Sequence, residues 1–379
     1  MAHHRDAPCV RSRGGVTSPE GSWPPLPRPV LVVQPLPGIG DMVWHLPHLR
    51  AIAAFAGGPV SVLAKPRSLA DTLLRNEPSV ERVLWVDRNP KGGQGAHDGP
   101  LGFLRLVREL RAGRFASAVF LHHSESLAAA AWLAGIRDRR GYGGRLSQRL
   151  FLTQGPWIRP EDARQRPHGR ATGFLHTVGV PLSDPEPSLL IQPGERSAAR
   201  TALNLPRGDF VAIGIGSSED LRRWPADRFT ALCRALLDAG WRSLVLLGGP
   251  GDAPAAEAIK AGAGAAADRI HLALGWQMDR VAGLLAEATF YAGNDTGVMN
   301  MAAACGIRTY AIFGRTPPVE HTSQIVPITT PDIGHYDGVM RVTPEQVVAA
   351  IVSDRGRLGP APEAQYITSP PFGDSVAPT

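Results

Sequence analysis

Short apolar runs alternate with longer amphipathic stretches along most of the chain. Residues 29–36 (PVLVVQPL) and 243–247 (SLVLL) are almost continuously apolar, which is typical of strands buried on both faces of a parallel sheet. The stretches between such runs, for example residues 226–239, have the apolar spacing of a helix packed on that sheet. The pattern therefore predicts an α/β fold.

The pattern occurs twice. In the first half we expect strands at 29–36, 59–63, 80–86 and 116–121 and helices at 42–55, 68–75 and 101–112. In the second half we expect strands at 210–215, 243–247, 270–272, 289–292 and 308–313 and helices at 226–239, 253–261, 278–288, 298–305 and 344–352. Two such series predict two Rossmann-like domains that face a cleft, with ligands at the carboxyl ends of the strands.

The domain boundaries follow from composition. A proline-containing stretch at 183–196 is predicted to be a linker between an N-terminal domain at 29–182 and a C-terminal domain at 197–355. Residues 1–28 and 356–379 are rich in Pro, Gly and Ser and lack an apolar period, so we predict a disordered leader and a disordered tail.

Overall composition excludes an integral membrane protein and a secreted domain built on disulfides. The three cysteines, Cys9, Cys233 and Cys305, are scattered, so no disulfide framework or zinc motif is indicated. The longest apolar stretch, 127–136, is far shorter than a membrane span, and no apolar segment follows the polar N-terminus as in a secretory signal. We therefore expect a cytoplasmic protein.

The positive charge is concentrated in one segment. Residues 137–170 contain nine arginines and three acidic residues, which gives +6 and equals the net charge of the whole chain. This segment is either a solvated basic loop or a docking surface for phosphates and carboxylates, which arginine binds well.

A glycine-containing turn follows the first predicted strand. The turn, Pro37-Gly38-Ile39-Gly40-Asp41, places an acidic residue where a helix begins. The dinucleotide-binding pattern GxGxxG is absent, because its third glycine would fall at Val43. Asp41 is therefore either a helix-capping residue or a catalytic carboxylate.

Three further motifs follow strands of the second domain. Residues 214–218 (GIGSS), followed by 222–225 (RRWP), combine hydroxyls and guanidinium groups suited to a phosphate. Residues 248–252 (GGPGD) allow close approach of a nucleoside, although a plain turn explains them equally well. Residues 293–300 (GNDTGVMN), followed by 313–316 (FGRT), place an acid, a hydroxyl and a glycine where a helix begins and can hold a diphosphate.

The order of LPGIGD, RRWP and GNDTG…FGRT resembles glycosyltransferase family 9, the ADP-heptose:lipopolysaccharide heptosyltransferases and their relatives. The resemblance covers residues 30–350 and leaves both tails outside. It implies the GT-B fold, an inverting mechanism, and a nucleotide-diphosphate sugar, ADP-heptose by analogy, held by the C-terminal domain.

The resemblance also assigns roles to individual residues. Asp41 matches the general base of the family, and Asn300 stands where family members usually have histidine. An asparagine can donate a hydrogen bond but cannot carry a charge. The implied donor-binding residues are Ser217, Ser218, Arg222, Asp252, Trp276, Asp295, Thr296, Gly297 and Asn300.

The implied acceptor is an anionic glycan or glycolipid such as the lipopolysaccharide core. Its carboxylates or phosphates would meet the basic segment, with Lys65, Arg67 and Arg145 as candidate binding residues. We expect no cofactor and no metal, since the sequence has no DxD pair and its histidine pairs, His3–His4 and His122–His123, have no acidic residue or cysteine at metal-site spacing. No nucleic acid is implied, and the resemblance is compatible with peripheral contact at the inner face of the inner membrane.

Two alternatives remain open. One is a protein that binds a nucleotide sugar without transferring it, which Asn300 permits and Asp41 disfavours. The other is a nicotinamide-dependent oxidoreductase, against which the missing GxGxxG counts heavily.

Overall fold

The structure, a computed structural model, describes residues 22–89, 93–205, 210–314, 316–331, 337–354, 356 and 358. Most of the predicted leader (1–21) and of the predicted tail (359–379) therefore lies outside the described residues, as does Arg315 of the last motif. No described helix combines the length and apolarity needed to cross a bilayer.

The N-terminal domain is built on a five-stranded sheet. Its strands are all parallel and lie in the order β3-β2-β1-β4-β5. The elements are β1 (Val30–Val33), α1 (Ile39–Phe55), β2 (Val60–Ala64), α2 (Ala70–Leu73), β3 (Val80–Trp85), α3 (Gly99–Ala112), β4 (Ser117–Phe120), α4 (Glu125–Leu133), β5 (Asp138–Gly141), α5 (Leu146–Arg149), α6 (Pro160–Ala163) and α7 (Pro167–Thr177).

The C-terminal domain is built on a six-stranded sheet, also parallel, in the order β11-β10-β9-β6-β7-β8. The elements are α8 (Pro193–Ala202), β6 (Phe210–Gly214), α9 (Ala226–Asp238), β7 (Ser243–Gly248), α10 (Ala253–Gly262), β8 (Ile270–Leu274), α11 (Met278–Leu285), β9 (Phe290–Asn294), α12 (Gly297–Ala304), β10 (Arg308–Ile312), β11 (Ile325–Ile328), α13 (Gly338–Arg341) and α14 (Pro344–Ser353).

Helices cover both faces of the N-terminal sheet. Side chains of α3 and α4 join one core with Leu31 and Val33 of β1, whereas side chains of α1 and α7 join the other core with Val30 and Val32. Successive β1 residues therefore point to opposite cores, and the whole strand is buried, as its continuous apolar run predicts.

Residues 22–28 pack on the N-terminal domain, although composition places them in the disordered leader. The Trp23 ring lies edge-on to Phe174 at 5.5 Å, and the Arg140 guanidinium lies over Trp23 at 5.3 Å. Arg140 also donates to the carbonyls of Pro24 and Pro25 and pairs with Asp138. The buried tryptophan supplies an anchor that a low average hydropathy conceals.

The predicted linker at 183–196 is partly helical, because α8 begins at Pro193 and packs on α11 of the C-terminal domain. The stretch before it crosses between the domains. The Leu189 amide donates to the Ala304 carbonyl at 2.8 Å, and Arg50 of α1 donates to Ser188 and pairs with Glu77.

Candidate active site

Asp41 lies in the first turn of α1, at the carboxyl edge of the N-terminal sheet. Its Oδ2 accepts a hydrogen bond from the Gly38 amide at 3.0 Å. Partial burial raises the pKa of the Asp41 carboxyl, and the Gly38 hydrogen bond offsets part of that rise. A carboxylate with a raised pKa has the proton affinity that a general base requires.

Four imidazole rings form a row beside Asp41. His45 Nδ1 lies 2.6 Å from the Asp41 carbonyl oxygen, and burial lowers the pKa of His45 to about 4. The neutral ring therefore donates from Nδ1 to that carbonyl at neutral pH. The row continues through His48 and His168 to His321 of the C-terminal domain, with ring centroids 5.2, 5.0 and 4.3 Å apart. We call these four residues the histidine row.

The N-terminus of α12 is the candidate anion-binding feature to which the sequence motifs of the C-terminal domain point. Thr296 caps this helix, Gly297 is its first residue, and backbone amides at a helix N-terminus bind negative charge. Arg222 Nη1 lies 3.3 Å from Asp295 Oδ2, which also accepts a hydrogen bond from Thr316 Oγ1 at 2.5 Å. The sequence motifs RRWP, GNDTG and FGRT thus converge on one carboxylate.

A second polar group surrounds Asp252 at the ends of β6 and β7. Arg223 pairs with Asp252 through Nη1 and donates from Nη2 to the Ser217 carbonyl at 2.8 Å. Asp252 Oδ2 also accepts from the Gly249 amide at 2.8 Å, and its approach to Gly216 leaves no room for a Cβ there. The RRWP motif offered both guanidinium groups for a phosphate, but the family resemblance assigned a donor-binding role to Arg222 and not to Arg223.

The remaining donor-binding candidates lie around this group. Ser218 is exposed in the same loop as Ser217, whose hydroxyl donates to the Glu219 carbonyl. Trp276 follows β8, with the Arg280 guanidinium 4.3 Å from its ring centre. The Gly275 amide donates to the Gly248 carbonyl at 2.9 Å, which places Trp276 next to the Asp252 loop.

The two domains touch where α1 and α12 begin. Trp44 Nε1 donates to Asn300 Oδ1 at 2.7 Å, and Asn300 Nδ2 donates to the Thr296 carbonyl at 3.0 Å. A Cβ on Gly40 would lie 2.7 Å from Asn300 Nδ2, and one on Gly297 would lie 2.8 Å from Ile39 Cβ. Asp41 therefore lies one residue from the surface that meets the candidate donor-binding loop at the start of α12.

The acceptor-binding candidates partly converge. Burial lowers the pKa of His122 to about 4, with smaller contributions from His123, Arg170, Lys65 and Arg145. Burial also lowers the pKa of His123, and Arg170 and Arg145 act on it in the same direction. Arg67 is exposed two residues after Lys65, and no contact joins it to this basic cluster.

Several buried polar atoms around the basic cluster have no protein partner. They include His122 Nδ1, His123 Nδ1, Tyr142 Oη and Arg170 Nε. Buried polar groups are normally hydrogen-bonded, so such a concentration indicates a site for a polar ligand. The sequence excluded His122 and His123 only as metal ligands, and the density of His and Arg near 122–170 was the available sign of a polar site.

Most arginines of the basic segment bind the protein itself. Arg139 donates to the carbonyls of Phe151, Ile136 and Arg137, and Arg149 donates to Gly143 and lies over Trp157. Arg140 is buried, as described above. The segment is therefore folded into β5 and α5–α7, and Arg145 and Arg170 are its arginines that act on His122 and His123.

Two Rossmann-like domains meet at their functional loops, one with a carboxylate of raised pKa and the other with an anion-binding helix N-terminus. This architecture is the GT-B fold, and the chain is a glycosyltransferase. The family model described as glycosyltransferase family 9 (heptosyltransferase) matches residues 103–333, and the chain belongs to that family. The oxidoreductase alternative is thereby removed.

Named relatives extend the similarity over most of the chain. Lipopolysaccharide heptosyltransferase 2 of Escherichia coli is 24% identical over 347 residues, which cover 84% of this chain and 96% of the relative. Lipooligosaccharide heptosyltransferase 2 of Haemophilus influenzae is 23% identical over 351 residues, with 84% and 97% covered.

Solved structures share the fold. The E. coli ADP-heptose lipopolysaccharide heptosyltransferase II superposes with a TM-score of 0.66 at 22% identity, covering 86% of this chain and 99% of that one. A family 9 glycosyltransferase from Veillonella parvula gives 0.71 at 21% identity, with 86% and 96% covered.

Proposed function

We propose that this enzyme transfers a heptose, with inversion and without a metal ion, from ADP-heptose to a hydroxyl group of an anionic lipopolysaccharide core. The family and the relatives named above support the sugar and the acceptor class. The observation that carries the proposal is the position of Asp41, which lies beside the donor-binding loop of the opposite domain.

The reaction is a single displacement. The acceptor oxygen forms a bond to the anomeric carbon while the bond from that carbon to the diphosphate oxygen breaks. The hydroxyl proton passes to the Asp41 carboxylate, and the electron pair leaves with the diphosphate. Attack from the side opposite the leaving group inverts the configuration of the anomeric carbon.

The leaving diphosphate gains negative charge as the bond breaks. Arg222 and the amides of Thr296 and Gly297 would stabilise it, because donors aimed at developing charge lower the barrier. On the acceptor side, Lys65, Arg145 and Arg170 surround His122 and would bind a carboxylate or phosphate of the core. Donor and acceptor then occupy the two sides of the contact between α1 and α12.

Substitution of the proposed base tests the mechanism. Asp41→Asn should keep the fold and the affinity for ADP-heptose and lower turnover at least ~100-fold, the lower range for loss of a general base. Asp71→Asn is a matched control, since Asp71 is an exposed carboxylate in the first turn of α2. Turnover of Asp41→Asn near the level of the control would refute the assignment.

Chelation tests independence from metal. Activity should persist after exhaustive treatment with EDTA, because guanidinium and backbone amide groups meet the charge of the leaving diphosphate. Activity that disappears with EDTA and returns with Mg²⁺ or Mn²⁺ would contradict this part of the proposal. The anomeric configuration of the product, measured by NMR, tests inversion separately.

A further inference from the structure

We propose that the outer surface of α3, α4 and α5 docks on an anionic lipid bilayer. This surface, the α3–α5 face, consists of the exposed side chains of these helices and of Leu150, which ends α5. The inference goes beyond the transfer reaction and does not depend on the identity of the donor.

The exposed apolar side chains of the described residues are concentrated on this face. Ten large apolar side chains are markedly exposed, and six of them belong to α3–α5, whereas the other four are scattered over the molecule. Such a concentration marks an interaction surface, because single exposed apolar residues are ordinary and clusters are not. The six are Leu101 (83% exposed), Leu104, Trp132 (52%), Leu133, Leu146 (78%) and Leu150 (80%).

The three helices lie side by side on one side of the domain. α3 and α4 share the core on one face of the N-terminal sheet, and Arg111 of α3 donates to the Leu133 carbonyl of α4 at 2.6 Å. α5 lies alongside α4. Arg145 lies 3.5 Å from Glu125 where the two helices begin, and the rings of Phe151 and Trp132 lie 5.9 Å apart where they end.

The charge of the face suits an anionic partner. On α3, Leu101, Leu104, Arg105, Arg108 and Arg111 are all exposed, and their spacing places them on one side of the helix. The nearby carboxylates of Glu109 and Glu125 are paired, with His97 at 3.1 Å and with Arg145 at 3.5 Å. Apolar side chains mixed with arginines fit a bilayer interface, where the former enter the acyl region and the latter meet lipid phosphates.

The position of the face also suits a bilayer. α1, which meets the C-terminal domain, packs on the opposite face of the N-terminal sheet. A membrane bound to α3–α5 therefore leaves the contact between α1 and α12 free. The basic cluster around His122 is connected to this face through α5, because Gln148 donates to the His122 carbonyl at 2.8 Å.

Vesicle sedimentation of the full chain tests the proposal. The protein should bind vesicles that contain phosphatidylglycerol, bind pure phosphatidylcholine vesicles more weakly, and lose binding to the former as salt rises. Leu146→Ser/Leu150→Ser should lower the partition coefficient at least ~10-fold, because two mostly exposed leucines no longer insert. Arg105→Gln/Arg108→Gln should lower it about fivefold per arginine on anionic vesicles.

Matched controls lie on the C-terminal domain. Val352→Ser on α14 removes an exposed apolar side chain, and Arg234→Gln on α9 removes an exposed arginine, so both should bind vesicles like the parent. Turnover with a deacylated, water-soluble acceptor should be unchanged in all four variants, which separates this test from that of the transfer reaction.

Two results would overturn the proposal. One is binding to anionic vesicles that the α3–α5 variants leave unchanged. The other is a parent protein that does not bind vesicles but dimerises in solution through leucines 146 and 150, which would make a second copy of the chain the partner of this face.

Discussion

Two adjacent arginines reach separate parts of the candidate donor-binding site. Arg222 reaches Asp295 at the start of α12, and Arg223 reaches Asp252 after β7. Arg222 ends a short 3₁₀ turn (Asp220–Arg222) and Arg223 follows it in an extended conformation, so one dipeptide supports both groups. Through its pairing with Asp295, the charge of Arg222 lies beside the start of α12, where we propose that the diphosphate binds.

Substitutions of Arg222 and Arg145 distinguish donor binding from acceptor binding. Arg222→Ala should weaken binding of ADP by about 1.5–3 kcal/mol, the range for a hydrogen bond to a charged group. Arg145→Ala should leave ADP affinity unchanged and raise KM for the acceptor, most strongly at low salt, because Arg145 is largely exposed. Calorimetry with ADP measures the first effect and steady-state kinetics the second. Equal losses of ADP affinity would mean that the basic cluster serves the donor.

At the level of elements, the contact between the N-termini of α1 and α12 depends on small residues. Gly40 and Gly297 let the two helices approach until Asn300 and Ile39 fill the space that side chains would need. Asn300 bonds to Trp44 across this contact, so the amide that replaces the family histidine joins the domains. If Asn300 contacts the donor through Oδ1, its hydrogen bond to Trp44 must be replaced by one to the ligand.

Gly40→Ala tests this packing. The added Cβ should destabilise the protein by about 1–3 kcal/mol, the usual cost of overpacking, because it would lie 2.7 Å from Asn300 Nδ2. Gly40→Ala/Asn300→Ala should recover most of that loss, as measured by chemical denaturation. Gly194→Ala in α8 is the control, since its Cβ meets no atom within 4 Å. If the double variant were no more stable than Gly40→Ala, the loss of stability would not come from the contact with Asn300.

At the level of the whole molecule, the histidine row crosses between the domains. His168 of α7 stacks on His321, and Arg166 donates to the carbonyls of Pro317 and Pro318 nearby. Burial, together with repulsion from His168, His45 and Arg166, lowers the pKa of His321 to about 3. The buried ring is therefore neutral at neutral pH, and a proton on it is strongly disfavoured.

Acid should therefore weaken the folded state. Burial lowers the pKa of His45 from 6.5 to about 4, so below pH 6.5 the unfolded chain binds more protons than the folded chain. The free energy of unfolding should fall as pH drops from 6.5 toward 4, by as much as about 3 kcal/mol for His45 alone. His321→Gln should reduce this slope, measured by urea denaturation, and His176→Gln, at an exposed position on α7, should not. Equal slopes in all three proteins would exclude a role for the row.

Local pattern predicts most of the fold. β1, β6 and β7 were predicted within a few residues because their apolar runs are continuous. β5 was missed because its sequence, DRRG, is polar. Arg140 can be buried there because it pairs with Asp138 and because the distant carbonyls of Pro24 and Pro25 accept hydrogen bonds from it. No window around residue 140 contains that information.

The candidate site was likewise predictable only where its residues belong to local motifs. Asp41 and Asp295 belong to short motifs at strand ends and could be singled out from sequence. The link from Trp44 to Asn300 joins residues 256 positions apart, and the stacking of His168 on His321 depends on how the domains meet. Roles that arise from contacts between domains have no pattern along the chain.

The early segment at 22–28 bears on the order in which the protein is completed during synthesis. Arg140 reaches back 116 residues to Pro24, and the Trp23 amide bonds to the Val178 carbonyl. Closing so long a loop costs chain entropy that only the finished contact repays. On the ribosome, residues 22–28 emerge long before β5 and α7 exist to receive them. Residues 22–28 are therefore the first described residues to leave the exit tunnel and among the last of their domain to pack.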